Sequence, residues 1–127
     1  MSTPGKGSEF TLDSIKRILK FRLWGLWDSE HIKAFQEDLQ ANMAKLGPGP
    51  FVVYVDITEF PPQRPDIAKG AQEMMALAAK KGCLKNAHLV NKTMTELQVK
   101  RLSDEVGAPN FRFFRTEKEA MDWLLAK

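Results

Sequence analysis

The residues best placed to do chemistry gather at the end of one apolar run. VVYVDITEFPPQRPDIAKG, residues 52–70, carries Asp56, Thr58, Glu59 and Asp66. An aspartate at the carboxyl end of a parallel strand stands where open α/β sheets bind ligands, so Asp56 has the position of a general base or nucleophile. A carboxylate alone does little; it needs a second acid, a metal or an oriented base. Glu59 and Asp66 are close in sequence, but that spacing does not make them converge on Asp56. The reading preferred for Asp56 is a carboxylate that bonds loop amides or caps a turn.

Other chemistries fare no better. A phosphate cradle needs glycines whose backbone amides can approach an anion. Pro61, Pro62 and Pro65 remove amide donors instead, and Gly70 comes too late, inside the next helix. Histidines number two. His31 falls in the first turn of a helix, on its exposed side, and His88 reads as a hydrogen-bonded sheet residue rather than a base. The single cysteine, Cys83, follows a helix-ending glycine and reads as a buried structural thiol. With one cysteine and two histidines there is no metal-ligand cluster. No metal, no cofactor and no enzymatic activity are expected.

Composition sets the outer bounds. The chain has 127 residues, 43% hydrophobic and 28% charged, ordinary values for one globular domain. No apolar run approaches the roughly 20 residues needed to span a bilayer. MSTPGKGSEF has no apolar signal core, so residues 1–7 are expected to form a flexible leader to a single domain over 8–127. The lone cysteine suits a reducing, cytoplasmic setting. The formal charge of +3 is too slight to require a nucleic-acid partner, and none is expected. Lys16, Arg17, Lys20 and Arg22 cluster, but within what reads as a strand, as its solvated face.

The elements follow from periodicity. Residues 8–24 read as two strands joined at Asp13-Ser14, the second alternating Leu19, Phe21 and Leu23 with Lys20, Arg22 and Trp24. Asp28 or Ser29 caps a helix with Ile32, Phe35, Leu39, Met43 and Leu46 on one stripe. FVVYVDI is continuous enough for a central strand buried on both faces. Asp66 reads as the N-cap of a helix over 66–81, stopped by Gly82. NAHLVNK is a strand, Thr93 to Glu96 a capping box for a third helix, FRFFR a strand, and Thr116 to Glu119 a box for the last helix. The order β-β-α-β-α-β-α-β-α predicts an α/β domain: a mostly parallel sheet, an antiparallel hairpin at its N-terminal edge, and four helices.

With these elements in place the chain resembles the SpoIIAA-like family, a bacterial STAS-type domain group related in fold to anti-sigma factor antagonists. The resemblance covers residues 8–126. It rests on the element order, the Gly25-Leu26-Trp27-Asp28 strand exit and VVYVDI. It rests also on Phe-Arg-Phe-Phe-Arg followed by Glu119-Ala120-Met121-Asp122-Trp123-Leu124. In the antagonists the matching strand leads to a pattern resembling Asp-x-Ser and then Asp-Ser-Ser/Thr-Gly, with a serine phosphorylated at the next helix start. Asp56-Ile57-Thr58 keeps the first part; Glu59 to Asp66 replaces the second and contains no serine or threonine. The resemblance therefore implies a regulatory interaction module without the phosphoacceptor.

Where such a module would bind is read from the helix after the loop. Met74, Met75, Leu77 and Ala78 cover more of its circumference than one buried stripe needs. Either the helix is buried between sheet and neighbours, or with Phe60 it presents an adaptable apolar surface. The candidate binding residues are Asp56, Thr58, Phe60, Arg64, Asp66, Met74 and Met75. The expected partner is a protein. The alternative is an apolar or lipid-like ligand, carried at a membrane surface, with helix 66–81 swinging away to open a cavity. A homodimer is compatible with either.

Overall fold

The computed structural model describes residues 5–107 and 110–126. The strands are β1 (Gly7–Asp13), β2 (Ile18–Trp24), β3 (Phe51–Glu59), β4 (Cys83–Leu89) and β5 (Phe111–Phe114). The helices are α1 (Ser29–Leu46), α2 (Pro65–Lys81), α3 (Thr93–Val106) and α4 (Glu117–Leu125). One sheet runs β1-β2-β3-β4-β5; β1 pairs antiparallel with β2 and every other pairing is parallel. This is the predicted mixed sheet with four helices. Of the expected leader, residues 1–4 lie outside the described residues, as do Ala108 and Pro109 beyond the end of α3.

Side-chain alternation splits the sheet into two faces. Leu19, Leu23, Val53, Val55 and Ile57 join the core shared with Phe35 of α1, Met74 of α2 and Val99 of α3. Tyr54 and Ala87 instead pack beneath Ala120 and Leu124 of α4. The β1–β2 part of that second face is polar. Arg22 pairs with Glu9 at 3.4 Å and Glu59 at 3.1 Å, and lies 4.4 Å over the Trp24 ring.

Arg17 is not on that face. It occupies the turn between β1 and β2 with φ +57°. Its Nε donates to Pro50 O (2.7 Å), Nη1 to Leu46 O (2.9 Å) and Nη2 to the carbonyls of Gly47, Pro48 and Gly49 (3.2–3.3 Å). One guanidinium thus binds the last carbonyl of α1 and the four of the loop that follows it, and fixes how the chain enters β3. A lysine ammonium, a compact point donor, could not span five carbonyls. Lys16 is likewise a turn residue.

The helix caps divide between expectation and correction. The Asp28 carboxylate accepts from His31 N at 2.9 Å, Gly82 takes a left-handed φ of 112°, and Thr116 accepts from Glu119 N at 3.3 Å. Asp66, by contrast, is not an N-cap. α2 begins one residue earlier with Pro65, whose fixed φ and missing N–H suit a first helical position. Thr93 also lies inside its helix, at the first position of α3 after Lys92, so the expected capping box is absent; Glu96 pairs with Arg115 at 2.9 Å instead. β4 starts at Cys83, earlier than NAHLVNK suggests. Where α2 crosses α1, a Cβ on Gly70 would lie 2.5 Å from Ile32 Cγ1, so only glycine permits that approach. Gln36 of α1 then donates to Gly70 O at 3.1 Å.

Candidate functional site

Asp56 faces the α4 side of the sheet, half-buried, and turns its carboxylate onto its own loop. Oδ1 accepts from Thr58 N at 2.9 Å and from Thr58 Oγ1 at 2.7 Å. This is an Asx-type turn that stabilises the strand exit. Glu9, Lys20, Arg22, Tyr54 and Glu117 share its groove. The cations there are matched to other carboxylates: Lys20 to Glu117 at 3.4 Å, Arg22 to Glu9 and Glu59. Burial and the carboxylates of Glu117 and Asp56 hold the Tyr54 phenol above its usual range, so it stays protonated. Among the described residues no three acidic, histidine or cysteine side chains could hold a metal. The carboxylates of this groove are thus bonded to Thr58 or to neighbouring cations.

The loop after β3 is organised by a residue the sequence reading passed over. Gln63 is buried, although it lies among prolines in a connection. Its Oε1 accepts from Trp27 N (2.8 Å), and its Nε2 donates to Gly25 O (3.1 Å) and Pro61 O (2.7 Å). Its backbone completes a reciprocal pair with Gln98 of α3: Gln63 N to Gln98 Oε1 and Gln98 Nε2 to Gln63 O, both 2.9 Å. Thr95, also buried, donates to Phe60 O at 2.9 Å. The β2 exit, the proline loop and the start of α3 are therefore tied together at the carboxyl end of the sheet. Arg64 and Asp66 stand outside this network as an exposed ion pair, 3.1 Å apart; the guanidinium holds the Asp66 carboxyl below its ordinary range.

Phe60, Met74 and Met75 belong to a third place, inside the molecule. Phe60 is buried edge-on against Trp27, ring centroids 5.1 Å apart. All three line an apolar cavity of about 70 Å³ between the sheet and α1–α3, with Phe21, Phe35, Val55 and Leu102 among the other walls. Met74 is buried, and Met75 and Leu77 pack onto the core. The surplus apolar residues of α2 therefore face inward; the open choice between a buried helix and an outward apolar face resolves to the buried one. The candidate binding residues are thus not one constellation: Asp56 and Thr58 lie on one sheet face, Phe60, Met74 and Met75 under the other, Arg64 and Asp66 at the surface.

His88 lines the same cavity and is not the hydrogen-bonded sheet residue expected of it. Its ring stacks on Phe111 (centroids 4.2 Å) with Phe113 tilted beside it (5.9 Å), and its Nδ1 has no hydrogen-bond partner in the protein. Burial pushes its pKa down to about 3, so the imidazole is neutral. His31 is different: its Nδ1 lies 2.8 Å from the N-cap carboxylate of Asp28. Bonds from the His31 side chain and backbone, with the Lys6 ammonium at 3.0 Å, hold that carboxyl far below the usual range. Cys83 is buried as expected, its thiol pushed up to about 12 by burial and hence no nucleophile.

Comparison with solved structures places this architecture. An uncharacterized protein of the DUF3478 family with a SpoIIAA-like fold, from Shewanella loihica PV-4, superposes with a TM-score of 0.74 over 98% of each chain at 21% identity. The chain has the SpoIIAA-like fold. An anti-sigma factor antagonist from Mycobacterium paratuberculosis shares that fold, with a TM-score of 0.66 over 99% of this chain and 100% of its own at 12% identity. No protein-family model and no curated protein sequence matches the chain. In this SpoIIAA-like chain the junction from β3 to α2 is built from prolines and a buried glutamine.

Three further surface residues escaped the sequence reading. Leu26, Met94 and Leu97 are 62%, 68% and 57% exposed, high values for large apolar side chains. Each neighbours a residue bonded into the loop network: Leu26 lies between Gly25 and Trp27, Met94 precedes Thr95, and Leu97 precedes Gln98. Leu97 lies off the buried face of α3. Val99, Leu102 and Thr95 fill that face instead.

Proposed function

We propose that this chain is a non-enzymatic protein-interaction module that binds its partner at the carboxyl end of the sheet and works without a phosphorylation switch. The observation that carries the reading is the exposure of Leu26, Met94 and Leu97 on segments held together by Gln63 and Thr95. Exposed apolar side chains on a preorganised frame lower the ordering cost of association. The fold shared with an anti-sigma factor antagonist supports a protein as the partner. Residues 59–66 offer no hydroxyl, and Thr58 spends its Oγ1 on Asp56 at 2.7 Å. Among the described residues no helix is long and apolar enough to cross a membrane.

The test uses protein isolated from its host with whatever it carries. Intact-mass analysis should find Thr58 unphosphorylated, and Leu97→Lys should fold normally, since surface changes cost within about 0.5 kcal/mol, while losing the co-isolated protein. A stoichiometric phosphate on Thr58, or undiminished co-isolation by the folded variant, would contradict the reading. A second copy of the chain as the captured protein would make the module a homodimer.

The cavity favours a second reading, a binder of a small apolar ligand. Its walls are almost wholly hydrocarbon, and Met74 and Met75 are the kind of adaptable side chains that re-pack around a guest. In this reading α2 is the cover that moves to admit the ligand.

A further inference from the structure

We propose that the cavity beneath α2 takes a small apolar molecule bearing one hydroxyl, of the short-chain alcohol or phenol type, with the hydroxyl bonded to His88. The inference rests on the apolar-ligand reading and specifies its chemistry. It starts from an imbalance in the cavity wall. Three polar side chains line it: Gln63, Gln98 and His88. The side-chain amide of Gln63 is engaged with Trp27, Gly25 and Pro61, and that of Gln98 with the backbone of Gln63. His88 Nδ1 is buried and has no partner in the protein.

A buried polar atom left without a partner is costly, and native structures rarely keep one without a role. Replacing the imidazole by an aliphatic side chain would remove that cost, so its presence points to something that bonds it. Water fits this place badly: a buried water needs two to four polar partners, and the other two polar side chains of the lining are already engaged. A guest with an apolar body and one polar group satisfies both the hydrocarbon wall and the nitrogen. A hydroxyl both donates and accepts, so it serves either tautomer of the ring. An amine or carboxylate would bring a charge with no counter-ion among the lining residues. The stacking of His88 on Phe111, with Phe113 tilted beside it, holds the ring in one orientation.

Size sets the scale. The cavity of about 70 Å³ is roughly half the ~150 Å³ space known to admit benzene. Its volume suits an alcohol of a few carbons; because Nδ1 is closed off from the empty space, a hydroxyl reaches it only as side chains around it shift, and a phenol requires Met74 and Met75 to change rotamer as well, which methionine does readily.

Phenol and toluene are the probes, because they exchange a hydroxyl for a methyl at nearly constant shape. The full chain, labelled at its methionine and valine methyls and at the His88 ring nitrogens, is titrated with each by NMR. Both should shift the methyls of Met74, Met75 and Val55, and phenol alone should shift the His88 nitrogens. In His88→Leu, toluene should still bind while phenol weakens roughly tenfold, the cost of a hydroxyl left unpaired. If that variant fails to fold, the nitrogen shifts in the wild-type chain decide the matter alone. Toluene binding without phenol binding, or phenol binding that leaves the His88 nitrogens unmoved, overturns this inference and leaves the apolar-ligand reading standing. If neither probe moves the cavity methyls, both fall, and the protein-partner proposal is untouched.

Discussion

Replacing Phe35 by alanine should lower the free energy of unfolding by about 3–5 kcal/mol, the range for deleting a fully buried aromatic ring. Phe35 is 3% exposed and sits where three other rings meet: Trp27 at 5.3 Å, Phe21 at 5.6 Å and Phe10 at 5.9 Å between centroids. It also walls the cavity, so the void left by truncation would merge with space already present, and neighbours could not close over it. Trp123→Ala should cost distinctly less. The indole is only partly buried, against Phe114 and beneath the cations of Lys85 and Arg112, so some of its surface is in water in either state. Urea melts of the two variants should therefore separate clearly. Equal losses would mean that the faces of α1 and α4 are wrongly ranked.

Acid should unfold the protein through His88. Its pKa is pushed down from 6.5 to about 3 by burial, so the folded state resists a proton that the unfolded chain accepts. The sign follows: stability is intact above the unfolded value of 6.5 and falls as the pH drops towards 3. By pH 4 the loss from this one group is about 3 kcal/mol by linkage. The His88→Leu variant removes this group's share of the slope. Measured between pH 7 and 4, unfolding of the wild-type chain should become steadily easier, and that of the variant much less so. Parallel profiles would place an ionisable or solvated His88 in the folded state.

Much of the scaffold is legible in the residues. The period-two alternation of ILKFRLW, the unbroken apolar run of β3 and the five-residue stripe of α1 each specify an element and the face it buries. Caps that act within three residues, such as Asp28 and Thr116, are equally visible. What was not legible depends on partners far along the chain. Gln63 meets Gln98, 35 residues away, and Arg17 reaches carbonyls 29–33 residues away. No local pattern distinguishes a glutamine that will be buried from one that will stay in water. His88 is the same case: a polar residue in a strand implies a bonded side chain, and only the packed ensemble shows its Nδ1 facing no partner. The apolar surplus of α2 announced a special helix but not the direction in which it faces, because a cavity and an outer surface select the same residues.

The measurement that bears most directly on the proposed function is photo-crosslinking inside the host from two single positions. A photoreactive side chain at Leu97 sits at the carboxyl end of the sheet; one at Ile15, 93% exposed in the β1–β2 turn, sits at the opposite end and serves as the control. An interaction surface at the carboxyl end of the sheet predicts one discrete crosslinked protein from position 97 and only diffuse background from position 15. The same discrete product from position 15, with background alone from position 97, would contradict it.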